Sequence, residues 1–108
     1  MALVANLAAT VSMKASDALQ ANRDALRALA ARHRLRNLRV FGSAATGADT
    51  EGSDVDLLVD APDGTTLFDL GGFQVRAAKL LGVSVDLVTS GDLPVRARER
   101  ILREAVSV

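Results

Sequence analysis

The 108-residue chain has no cysteine and a single histidine, His33. Disulfides and thiolate zinc sites are thereby excluded. Any metal site must be built from oxygen ligands, which suits magnesium or manganese. Aromatic residues are nearly missing, with three Phe, no Trp and no Tyr. A core must therefore come from Leu, Val and Ala, and there are no interleaved aromatics on which bases could stack. Charge of one sign is missing too: 13 basic residues stand against 13 acidic ones. That balance gives no global pull on nucleic acid or on an anionic membrane, so direct nucleic-acid binding is not expected. The apolar start MALVANLAATVSM lacks the basic region of a signal peptide, and at 13 residues it is too short to span a bilayer. A soluble, cytoplasmic protein with no membrane contact is the expectation.

What is present is 49% apolar, enough for one core. The length predicts a single domain over residues 1–108, with residues 1–15 as an N-terminal arm. Residues 16–34 read as one helix, with Ser16 as N-cap, Asp17 at its positive end and Leu19, Leu26, Leu29 and Ala30 at helical spacing. Leu38–Phe41 reads as a strand stopping at Gly42, and Asp54–Asp60 as a second strand. Thr66–Leu81 reads as a helix capped by Thr66 and ended by Gly82, although Gly71 and Gly72 interrupt it. Leu67, Leu70 and Phe73 are its expected core residues. Val83–Thr89 reads as a third strand. Asp92 and Pro94 open a last helix carrying Val95, Ile101, Leu102 and Ala105. The order α–β–β–α–β–α predicts an α+β fold, a small mixed sheet packed by helices.

Chemistry concentrates in Asp54-Val55-Asp56. Alternate residues of a strand share a face, so the two carboxylates point the same way while Val55, Leu57 and Val59 point into a core. Like charges so placed repel unless a cation lies between them. Asp86 repeats the pattern in VSVDLVT. Paired in register with residues 54–60, its strand would bring three carboxylates together, a site for two-metal phosphoryl or nucleotidyl transfer. The bland alternative is a solvated acidic sheet face.

Gly42-Ser43 directly follows a strand. Glycine permits a positive-φ turn and close approach of a ligand, and a helix starting at Ser43 would offer free N–H groups to phosphate. An ordinary strand-to-helix turn would read the same. It is not a P-loop, since no Gly-Lys-Ser/Thr follows. His33 reads as a surface histidine at a helix end. Arg23, Arg27, Arg34 and the arginines at 96, 98, 100 and 103 read as solvated or partner-facing. Arg76 and Lys79 are candidates to reach a phosphate.

The spacing G-S, nine residues, then S-D-x-D-L-x-V, with a later V-D-L-V, resembles the minimal nucleotidyltransferase family of the DNA polymerase beta-like superfamily. The match runs over roughly residues 38–90 and more loosely to the C-terminal helix. The resemblance implies a polymerase beta palm-like fold, with Gly42, Ser43 and Ser53 at the nucleotide. It implies two magnesium ions held by Asp54, Asp56 and Asp86, and ATP as substrate. Many relatives read GSxARG where this chain reads GSAATG, so Thr46 stands where an arginine is common. Threonine cannot grip phosphate bidentately.

Small members of the family are commonly antitoxins. They attach AMP to a tyrosine of a cognate HEPN-domain ribonuclease toxin. The resemblance thus implies a magnesium-dependent protein adenylyltransferase, in complex with its partner. Three alternatives stay open: a non-catalytic antitoxin acting by binding alone, a small-molecule nucleotidyltransferase, and a transfer-RNA-modifying one.

Overall fold

A computed structural model describes residues 14–108. The apolar stretch 1–13 lies outside the described residues, and most of the expected N-terminal arm with it. Ala15 opens the first described helix.

The elements run α1 (Ala15–Ala21), α2 (Arg23–Arg32), β1 (Arg36–Phe41), α3 (Ser43–Thr46), β2 (Val55–Asp60) and α4 (Leu67–Leu81). They continue with β3 (Val85–Thr89), a 3-10 turn (Ser90–Asp92), α5 (Val95–Glu104) and β4 (Val106–Ser107). The expected helix over 16–34 is thus two helices. Asn22 breaks it with φ −118° and ψ 18°, its side-chain amide donating to the Ala18 carbonyl at 2.8 Å. An amide side chain that competes for backbone acceptors disfavours continuous helix. Ser16 is not the N-cap. Lys14 holds that position without a side-chain bond, and the Ser16 N–H is capped from a distance, as described below.

The four strands form one mixed sheet in the order β3-β2-β1-β4, the α+β fold expected. β1 runs antiparallel to β2 and to β4, and β2 runs parallel to β3. β1 starts two residues earlier than the apolar run predicts, because Asn37 takes φ 53° and bulges the strand between Arg36 and Arg39. β4 went unpredicted, since two residues after a helix carry no periodicity.

Alternation then sorts the two sheet faces. On one face Val55, Leu57, Val59 and Val85 pack with Phe73, Ala77 and Leu81 of α4 and with Leu26, Leu29 and Ala30 of α2. On the other, Leu58 and Phe41 pack under Leu93 and Ile101. A capping box starts α4: the Asp69 N–H donates to the Thr66 hydroxyl at 3.2 Å, and the Thr66 N–H donates to the Asp69 carboxylate at 3.0 Å. Gly82, at φ 73°, ends it as expected.

One expected core assignment is corrected: Leu67, in the first turn of α4, is 85% exposed. Val95, in the first turn of α5, is exposed too. Helix spacing selects a direction, but a first turn that overhangs the sheet has nothing beneath it. Leu102 also faces out, leaving Ile101 as the buried anchor of α5. Asp92 does not cap α5, where Pro94 is the N-cap. Asp92 instead accepts a hydrogen bond from the Thr89 hydroxyl at 2.8 Å.

Candidate active site

Parallel pairing of β2 and β3 sets Asp56 directly opposite Asp86. Both follow a buried valine, Val55 or Val85, so burial of those valines turns the two carboxylates to the face away from α4. On the other side of β2, antiparallel pairing sets Phe41 opposite Asp56. Gly42 therefore follows immediately beside the Asp56 side chain. A Cβ on Gly42 would lie 2.3 Å from an Asp56 carboxylate oxygen, closer than any real contact. Gly42 also has φ 73° and ψ −152°, a conformation essentially reserved for glycine. The short α3 begins at the next residue, Ser43, as the turn requires.

Asp56 and Asp86 are register partners on adjacent parallel strands. Burial holds the Asp56 carboxyl above its ordinary value, and the Asp86 charge and hydrogen bond, then the Asp54 charge, push the same way. Such a group favours either a proton or a cation. Asp54 is exposed. β2 begins at Val55, which leaves Asp54 on the exposed end of the preceding loop rather than in the pleat. Among the described residues, no three acidic or histidine side chains close into one metal-ligating cluster. Asp56 and Asp86 are thus brought together by register, and the Asp54 charge acts on Asp56 from the loop that precedes β2. Magnesium is commonly held by one or two carboxylates together with water and substrate phosphates, and this oxygen-only set fits it.

Asp60 shares the Asp56 face but is occupied. Arg39 donates to it at 2.7 Å and Asn37 at 3.1 Å. These contacts, led by the Asn37 hydrogen bond, hold its carboxyl below the usual range. Ser53 is engaged locally: its hydroxyl accepts from the Thr50 N–H at 3.0 Å. The Thr46 hydroxyl turns back to the Gly42 and Ser43 carbonyls at 3.3 and 3.4 Å. It supplies no positive charge.

Arg76 and Lys79 are ruled out as phosphate ligands at this pair. They belong to α4, on the opposite sheet face. His33 is half-buried rather than a free surface group. Its ring meets Phe73 edge-on with centroids 6.2 Å apart, and its Nε2 lies 3.3 Å from Arg76 Nη1.

Asp49 was not anticipated. It is the buried charged residue among those described, 5% exposed, and accepts the Ser16 N–H at 2.8 Å. That backbone hydrogen bond, outweighing burial, keeps its carboxyl below the ordinary value. Asp49 thereby ties the loop from α3 to β2 onto the start of α1. Its partner lies 33 residues away. No local pattern could have revealed it.

A mixed sheet whose two parallel strands carry paired aspartates beside a glycine turn defines a class, and the chain belongs to it: the nucleotidyltransferase domain family matches residues 23–108. Among named relatives, a Methanocaldococcus jannaschii protein provisionally named a protein adenylyltransferase is 35% identical over 77 residues, 71% of this chain and 83% of its own. Protein adenylyltransferase MntA of Thermococcus cleftensis is 38% identical over 74 residues, 68% of this chain and 75% of its own. A solved structure provisionally described as a minimal nucleotidyltransferase is 44% identical with a TM-score of 0.78, covering 86% of this chain and 95% of the other.

Proposed function

We propose that this chain is a magnesium-dependent protein adenylyltransferase of the antitoxin kind. It transfers AMP from ATP to a hydroxyl, a tyrosine by the family resemblance, of a cognate HEPN-type ribonuclease toxin. The observation that carries this reading is the Asp56–Asp86 pair, in register on adjacent parallel strands and pressed against Gly42. The names of the relatives supply the acceptor class: protein adenylyltransferases, MntA among them. The fold is shared, at 22% identity and a TM-score of 0.69, with a toxin–antitoxin structure containing AMP-PNP.

Asp54, Asp56 and Asp86 would hold the metal. When bound, magnesium supplies charge neutralisation at the phosphates and the leaving group. The Gly42-Ser43 turn lets the triphosphate approach the backbone, and the first N–H groups of α3 face it. Asp86, exposed beside Asp56, takes the proton of the attacking hydroxyl. One O–P bond forms at the α-phosphate, the bond to the β-phosphate oxygen breaks, and pyrophosphate leaves.

A second reading rests on Thr46, whose hydroxyl is spent on its own turn where relatives carry a cation. In that reading the chain neutralises its partner by binding alone. Incubation with magnesium, labelled ATP and the adjacently encoded protein separates the two. Label on that protein, abolished by Asp56→Asn and by Asp86→Asn, is the expected result. Tight binding with no transfer by the wild type sinks the enzyme reading.

A further inference from the structure

Residues 47–54 join the two halves of the proposed site. They follow α3, which the Gly42-Ser43 turn opens, and they deliver Asp54 to the start of β2. This connection belongs to no ladder, and its turns are closed locally. The Ala48 N–H donates to the Ser43 carbonyl at 3.0 Å, and the Ser53 N–H to the Thr50 carbonyl at 3.1 Å. The Ser53 hydroxyl accepts the Thr50 N–H at 3.0 Å. A loop closed only on itself keeps conformational freedom as a unit, and that freedom opposes a fixed site. Asp49 removes it. From Thr46 to Asp54 it alone is buried, and its carboxylate accepts the Ser16 N–H at 2.8 Å. Among the described residues, this is the one hydrogen bond from residues 47–53 to a residue beyond the loop and α3. The mooring is firm. Ala15 and Ala18 of α1 are buried in the core against which Ala44 and Ala45 of α3 pack, and these small side chains let α1 lie against α3.

We infer that, given the metal–nucleotide role proposed above for the site, Asp49 is a positioning residue: by fixing the loop to α1 it sets where Asp54 stands relative to Asp56, and so how the two carboxylates share a magnesium ion. The residues between Asp49 and Asp54 are all taken up by the Thr50–Ser53 turn, which leaves no slack between anchor and carboxylate. Release of the anchor frees that turn as a unit, and Asp54 with it. Loss of a partner that orients a metal-binding carboxylate weakens metal affinity by about 10-fold or more. The effect is reciprocal by linkage. If the bond from Ser16 to Asp49 favours magnesium–ATP, then magnesium–ATP strengthens that bond by the same factor. The Ser16 amide reports it directly. It belongs to the first turn of α1, where an N–H has no helical carbonyl to receive it, so its protection comes from Asp49.

Amide hydrogen exchange on the full chain reads this without turnover. Saturating magnesium–ATP is expected to slow exchange of the Ser16 amide by about 10-fold, although α1 carries no residue of the proposed site. In calorimetric titration with magnesium–ATP, Asp49→Ala should bind about 10-fold more weakly than wild type. Asp49→Asn, whose side-chain carbonyl can still accept the Ser16 N–H, should bind within about threefold of wild type. Adding Asp49→Ala to Asp54→Ala should weaken binding no further, because the anchor acts through Asp54. Equal weakening by Asp49→Ala with Asp54 present or replaced marks a merely structural role and overturns the inference. So does magnesium–ATP that slows exchange at Ser43 and leaves Ser16 unchanged, an outcome that decides the matter even where Asp49→Ala does not fold. Magnesium–ATP that protects no amide and gives no binding heat strikes the metal–nucleotide role of the site itself, and the positioning role with it.

Discussion

Replacing Gly42 by alanine tests the site and the fold together. Two costs follow from one methyl group. The backbone holds φ 73° and ψ −152°, and a non-glycine residue there costs on the order of 1–3 kcal/mol. For a domain of this size that is a fall in Tm of about 4–12 °C, at roughly 4 °C per kcal/mol. The methyl would also lie 2.3 Å from the Asp56 carboxylate, so Asp56 must leave the position it holds between Gly42 and Asp86. Transfer should then fall at least about 100-fold, equivalent to some 2.7 kcal/mol of lost transition-state stabilisation. Thermal unfolding followed by circular dichroism, beside labelled AMP transfer over a magnesium titration, reads both effects. Gly64→Ala provides the comparison, because Gly64 has φ 90° but nothing within 4 Å of its Cβ position. It should lose stability and keep transfer within a few-fold. Adding Asp56→Ala to Gly42→Ala removes the clash, so the double variant should be more stable than the sum of the single effects allows. Gly42→Ala with wild-type Tm and wild-type magnesium dependence would refute the reasoning.

Asp56→Asn should abolish transfer yet raise Tm in metal-free buffer at neutral pH. The native carboxyl is raised above 3.8, first by burial, so wild-type stability falls as pH rises from 3.8 through the raised folded value. The gain over wild type should vanish below that window in thermal melts across pH. Asp49→Ala should cost about 1–2 kcal/mol by loss of the α1 cap. Asp49 has a lowered folded pKa, so its contribution is fully present above 3.8 and is lost as pH falls through the folded value. The Tm gap between wild type and variant should close there, and a gap that persists at low pH counts against the ion. Phe73→Ala removes the largest fully buried side chain and should cost about 3–5 kcal/mol in urea unfolding. A cost below about 1 kcal/mol would show that the core does not centre on α4.

Elements announced by local rules were legible before the structure. Thr66, Asp69 and Gly82 bracket α4 because capping chemistry acts within a few residues. The apolar alternation of β2 and β3 points Asp56 and Asp86 to one face because the side-chain period of a strand is two. The glycine at 42 and the two strand aspartates could thus be nominated as one site, and the family resemblance rests on the same residues.

Composition and period alone bounded the chemistry of this chain. Without cysteine and with one histidine, a metal site had to be made of carboxylates, and only aspartates on strands stood where they could meet. Tertiary structure decided which of them do meet. Register between β2 and β3 paired Asp56 with Asp86. The same packing put Arg76 and Lys79 on the far face, exposed Leu67, and joined Asp49 to Ser16 across 33 residues. Periodicity reports the direction in which a side chain leaves its own element. What lies in that direction depends on contacts between residues distant in the chain, and those exist only once the sheet and helices have packed.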